Sequence, residues 1–212
     1  DMAAAADGTP AGGGPGAGDD DLAGTIAWGE LAREVADALR LGGVEGAEHN
    51  ARLIVMKACG AEPDEWFMLS ADPATKRGVA AVDAMTRRRL AGEPLQYVLA
   101  AWGFRYLEVF VDRRVLIPRP ETELIVDLVR ERVLVGSATA ILDLGTGSGA
   151  LAVTLALELP AATVTAVDFS SAALGVARAN ADALGAPVRF VESDWFAGLD
   201  AGERFEVIVS NP

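Results

Sequence analysis

The chain has 212 residues, 51% of them hydrophobic, which is enough for one large or two small domains with a real core. Its formal net charge is −13, which argues against non-specific nucleic-acid binding, because that needs a basic surface to displace counterions. One cysteine, Cys59, excludes an internal disulfide and fits a reducing compartment; with no membrane-length apolar run and no signal-peptide pattern, a soluble cytoplasmic protein is expected.

Residues 1–24 are mostly Gly, Ala, Pro and Asp and offer almost nothing to bury, so a disordered tail is expected. From Ile26 to about Leu90 the apolar period is helical. Leu31, Val35, Ala38 and Leu39 share one face, and Gly42-Gly43 ends that helix. A second helix is expected from about Glu45 to Ala58 with Gly60 as its stop, and a short one over Asp64–Leu69. Asp72-Pro73 reads as an N-cap and first-turn proline opening a fourth helix through Val79, Val82 and Met85 to Leu90. Residues 25–93 are thus expected to form a small helical domain. His49 is the only histidine, and with no second histidine or cysteine near it a polar surface residue is expected rather than a metal ligand. Arg87-Arg88-Arg89 reads as a solvated helix face.

Gly92-Glu93-Pro94 breaks the helix. From Gln96 to Ile117 the pattern turns aromatic and β-branched, and a β-hairpin turning near Asp112-Arg113-Arg114 is expected as a linker over 94–118. Pro118-Arg119-Pro120 imposes extended backbone, and a helix follows with Glu121 and Glu123 in its first turn, where the helix dipole favours acids. Beyond it strands (Ile141–Leu144, Val164–Val167, Val188–Val191, Val207–Val209) alternate with helices (about Ala150–Leu159 and Ser171–Leu184). That alternation predicts an α/β fold with a doubly wound parallel sheet over 119–212, and ligands of such sheets sit beyond the carboxyl ends of the strands.

Four features fall at those ends: the Gly145-Thr146-Gly147-Ser148-Gly149 loop, Asp168, Asp194-Trp195 and Asn211-Pro212. Each alone is a common turn or cap, but their placement on one rim is not expected by chance. Glycine lets a ligand press against bare backbone. Asp168 lies ~20 residues past the loop, the spacing at which a carboxylate accepts ribose hydroxyls, which suits a nicotinamide or an adenosyl cofactor. No Lys-Ser/Thr follows the glycines, which disfavours a Walker-type site. Asp143, just before them, suits a class I methyltransferase, whose loop faces the ammonium of a methionine moiety.

Together, Leu142-Asp143-Leu144-Gly145-Thr146-Gly147-Ser148-Gly149-Ala150, Ala166-Val167-Asp168, Ser193-Asp194-Trp195-Phe196 and Val209-Ser210-Asn211-Pro212 resemble the peptide chain release factor N5-glutamine methyltransferases (the HemK/PrmC family). The likeness continues upstream in Arg88–Tyr97, Phe104 and, most discriminating, Ile117-Pro118-Arg119-Pro120-Glu121-Thr122-Glu123. It covers nearly everything from about Ile26 onward.

The resemblance implies a Rossmann-like class I methyltransferase sheet, here incomplete, and S-adenosylmethionine as cofactor, held by Gly145, Thr146, Gly147, Ser148, Gly149, Asp168 and Asn211, with Trp195 beside the adenine. It implies catalysis by Asn211 and Pro212 at the start of an Asn-Pro-Pro-Tyr motif, with Phe104 and Glu121 joining them on the substrate side. The implied reaction is methylation of the glutamine of the Gly-Gly-Gln motif of release factors, by a monomer with no membrane or direct nucleic-acid partner, whose helical domain docks the release factor. The physical need for the motif is clear. An amide nitrogen is a poor nucleophile because its lone pair is delocalised, and acceptors for its two N–H groups fix it in line with the methyl, so positioning and electrostatics suffice.

The chain departs from the family pattern at Ala100 and Tyr106, where glycine is usual, and it stops at Pro212, so a fragment of a longer protein is expected, with Val207–Val209 as an exposed edge. Two other readings stand beside this one: a methyltransferase for exocyclic amines of nucleic-acid bases, and an inactive cofactor-binding fragment.

Overall fold

A computed structural model describes residues 26–133 and 136–211. The chain divides into two compact units, Asp1–Gly92 and Glu93–Pro212. The tail expected at residues 1–24 lies outside the described residues.

The first unit packs α1 (Trp28–Leu41), α2 (Ala47–Cys59), α3 (Trp66–Leu69) and α4 (Lys76–Leu90). Trp28, Leu31, Val35 and Leu39 of α1, Ile54 and Val55 of α2 and Val82 of α4 are all buried. Gly78 is required by the tryptophan: a Cβ there would lie 2.2 Å from the Trp28 ring. Gly60 ends α2 in the left-handed region, as expected.

Two local expectations fail in this unit. The cap of α4 is Thr75, whose hydroxyl accepts the Gly78 N–H at 3.0 Å, and not Asp72. The reason is that Ala27 bridges Pro73 and the Asp72 carbonyl accepts the Trp28 N–H, so residues 72–74 are held extended. Arg89 is not simply solvated: its Nε donates to buried Asn50 at 2.8 Å.

The second unit begins with a helix, α5 (Leu95–Leu99), inside the stretch expected to be strand. Leu95, Val98 and Leu99 are buried at helical spacing, and the β-branched and aromatic composition concealed that period. The hairpin exists but is shorter and turns elsewhere. β1 (Trp102–Phe104) pairs with β2 (Leu107–Val109) around Arg105-Tyr106, not around Asp112–Arg114. Arg105 takes φ 53° there. Its amide donates to Glu123 and its guanidinium to Asp127 and Glu158 (2.7–3.0 Å), contacts far away in sequence that hold the turn. Ala100, where the resemblance leads to an expectation of glycine, also sits in the left-handed region, at φ 54°. Asp112–Val115 is a plain turn closed by the Val115 amide on the Asp112 carbonyl.

A 3-10 turn, Pro120–Thr122, leads into α6 (Glu123–Arg132). Then come β3 (Ala140–Leu144), α7 (Ala150–Glu158), β4 (Thr163–Asp168), α8 (Ser171–Leu184), β5 (Val188–Glu192) and β6 (Val207–Ser210). The four strands run parallel in the order β5-β4-β3-β6. This is the expected class I arrangement, and it places the ends of β3 and β4 at the centre of the carboxyl edge. α7 is apolar all round and buried from Ala150 to Ala156, as a helix covered on all sides must be. Ser170 caps α8 by accepting the Ala173 N–H, and Gly185 ends it. Among the described residues β6 has one partner, β3, and Ile208 on it is half exposed. No helix among the described residues is long and apolar enough to cross a membrane.

Candidate active site at the carboxyl edge of the sheet

A cleft of about 340 Å³ opens at this edge. It is lined by Asp143, Gly145, Thr146, Gly147 and Ser148, by Asp168 and Asn211, and by the run Arg114–Arg119 with Thr122. The loop is held from below. Gly145 and Thr146 both donate their amides to the Val167 carbonyl, at 2.9 and 3.0 Å. The Gly147 amide donates to Asp168 Oδ2 at 2.8 Å, and the Ser170 amide donates to Oδ1 at 2.9 Å. One carboxylate thus fixes both the loop and the start of α8. Each of its oxygens keeps a further lone pair for a ligand hydroxyl. Gly147 has φ 54° and a Cβ there would meet nothing within 4 Å, so bare backbone faces open space.

Asp143 lies beneath the loop, 2% exposed, and accepts the Thr146 hydroxyl at 2.7 Å. Burial raises its pKa to about 6; the Thr146 bond opposes that rise and the charge of Asp168 adds to it. A cation against the loop would reverse the cost of ionising this group.

Not every expected residue joins the cleft. Gly149, at φ 79°, does not line it. A Cβ there would sit 2.9 Å from Ala177 Cβ, so this glycine lets α7 approach α8. Trp195 does not line it either. It is half exposed on the loop after β5 at φ 52°, and its carbonyl accepts the Ser193 hydroxyl at 2.7 Å. Phe104 is 1% exposed inside the hydrophobic core, so the structure makes it a packing residue rather than a substrate contact. Glu121 is exposed on the 3-10 turn outside the lining, while its neighbour Thr122 is buried and lines it. Pro212 lies outside the described residues.

Two residues were missed. Asn180, 3% exposed, accepts the Phe110 amide (2.8 Å) and donates to the carbonyls of Phe110 (3.0 Å) and Ser148 (2.8 Å). It ties the glycine loop to the segment leading into Arg114–Arg119. The available signal was a lone amide on the buried face of α8, among Ala173, Val176, Ala177 and Ala181. Thr122 stood inside the diagnostic Pro-Arg-Pro-Glu-Thr-Glu run but carried no assigned role.

The chain matches two family models, "PrmC N-terminal domain" over residues 30–99 and "Methyltransferase small domain" over residues 120–212. It is 44% identical over 169 residues to the release factor glutamine methyltransferase of Burkholderia pseudomallei, covering 77% of this chain and 59% of that protein. The enzyme of the same name from Bordetella pertussis is 48% identical over 141 residues, 66% of this chain and 52% of that protein. That from Chlorobaculum tepidum is 43% identical over 173 residues, 77% of this chain and 59% of that protein. The chain therefore spans between half and three-fifths of the length of these relatives. The likeness runs through both units, over which the chain is similar to the release factor glutamine methyltransferases.

Proposed function

We propose that the cleft holds S-adenosylmethionine and directs its methyl group to the side-chain amide nitrogen of the glutamine in the Gly-Gly-Gln motif of peptide chain release factors. The observation that carries this reading is the convergence of the glycine loop, Asp168 and Asn211 on one cleft. The donor set fits the cofactor. Asp143 and Asp168 make the base of the loop an acceptor-rich place for an ammonium and a ribose, and Gly147 leaves backbone uncovered. The cofactor supplies an electrophilic methyl on a cationic sulfur.

The chain's own part is to hold the acceptor. Asn211 Oδ1 and the Pro212 carbonyl take the two amide N–H groups of the glutamine, which orients its nitrogen toward the methyl and lets lone-pair density return to it. With the cofactor bound, the nitrogen held by Asn211 would take up the methyl and release one proton to water, the other product being the neutral thioether. Trp195 is assigned to the adenine, which requires the loop after β5 to bring its ring to the cleft. The helical unit docks the release factor, and the protein works as a monomer in the cytoplasm.

The test is mass spectrometry of a release factor incubated with the full-length protein and S-adenosylmethionine. One added methyl on the Gly-Gly-Gln glutamine is expected. An unmodified glutamine, with labelled methyl found in RNA or DNA instead, overturns the reading.

A further inference from the structure

Thr122 ends the 3-10 turn that runs into α6, has helical dihedrals, and makes no side-chain bond to an amide of the first turn. It is buried, 8% exposed, and lines the cleft. Its Oγ1 instead accepts a hydrogen bond from Asn211 Nδ2, 89 residues away in sequence.

That contact has a chemical consequence. A carboxamide has one accepting end and one donating end, and the two are nearly equal in shape. An acceptor amide that brings N–H groups to Asn211 needs the oxygen end. With Nδ2 committed to Thr122, Oδ1 is the end left for the cleft. Were the side chain turned over, NH2 would face NH2, and the acceptor nitrogen would lose the partner that holds it.

We infer that Thr122 is the positioning residue that anchors the Asn211 carboxamide through Nδ2, so that Oδ1 is held where a hydrogen-bond-donating acceptor nitrogen can meet it. The role of Asn211 in methyl transfer rests on the function proposed above; the orientation of its side chain does not.

Thr122→Val keeps the shape and removes the acceptor, and Thr122→Ser restores it. Two readouts separate the orientation from the reaction. First, the side-chain NH2 resonances of Asn211 are followed by NMR in this chain. In the parent and in Thr122→Ser the two protons are expected to have distinct shifts and slow solvent exchange, and in Thr122→Val to exchange at least ~10-fold faster, as a freed amide does. Second, methyl transfer to release factor by the full-length protein is expected to fall ~10- to 100-fold in kcat in Thr122→Val and to recover to within ~3-fold in Thr122→Ser. An Asn211 amide indifferent to Thr122→Val, a valine variant with parental kcat, or a serine variant as slow as valine overturns the inference. If the parent transfers no methyl to glutamine, the function proposed above fails, and the NMR result alone decides for or against the orienting role of Thr122.

Discussion

The two sides of the cleft are built differently. On the loop side nearly every polar group is already engaged: two amides on Val167, a third on Asp168, the Thr146 hydroxyl on Asp143, and the Ser148 carbonyl on Asn180. On the acceptor side Asn211 is exposed, and its recorded side-chain bond is the one to Thr122. The loop side is a preorganised cradle that costs little further ordering when a ligand arrives. The acceptor side is more open, which fits the protein segment that the proposed function would bring to it.

The largest effect expected is one that keeps the cleft apart from the core beneath it. Phe104→Ala removes a fully buried ring from the core of the second unit and should destabilise it by about 3–5 kcal/mol. Urea unfolding measures this. Cofactor affinity under folding conditions should hold; a weaker affinity with unchanged stability would return Phe104 to the site.

Next is the side chain that defines the cradle. Asp168→Ala removes the acceptor for Gly147 and Ser170 as well as the one offered to the ribose, and a loss of ~100-fold in S-adenosylmethionine affinity is expected by calorimetry, about 2.7 kcal/mol. A loss under threefold would mean that the loop needs no carboxylate to hold its shape.

Asn180→Leu tests whether the two sides are coupled. It fills similar space but strands the Phe110 amide and two carbonyls, and about 2–3 kcal/mol of stability should be lost. Hydrogen exchange at Phe110 should speed up with it. Protection retained at Phe110 would show that the segment is held by something else.

These contrasts also mark what could be read in the sequence. The β3-loop-α7 unit, Asp168 and the cap at Ser170 were legible because each is specified by neighbours in the chain: an apolar run, glycines that must take positive φ, and a hydroxyl one residue before a helix. The hairpin was misplaced because its turn is fixed by Glu123, Asp127 and Glu158, which no local pattern can announce. Phe104 and Gly149 were given to the ligand because a motif records that a residue type is needed without saying whether packing or binding needs it. Thr122 and Asn180 escaped for the same reason as the hairpin turn, since their partners lie 89 and 70 residues away.

The smallest effect is the most informative about the loop side, because it reads the charge of one buried group. The Asp143 pKa is raised to about 6 in the folded chain, first by burial, with Asp168 adding to the rise and Thr146 opposing it. An acid whose folded pKa lies above its unfolded value binds more protons when folded, so the stability of the free chain should fall as pH rises from about 4 through 6. Ligand binding should run the other way. A bound ammonium favours the carboxylate and lowers this pKa, so S-adenosylmethionine affinity should rise through pH 6 and level off above it, tenfold for each unit of lowering. Calorimetry between pH 5 and pH 8 is expected to show ~10-fold tightening. Asp143→Asn, which keeps an oxygen for the Thr146 hydroxyl, should abolish the slope and lift the stability of the free chain at pH 8. A slope that survives in Asp143→Asn would assign the titration to another group at the cleft.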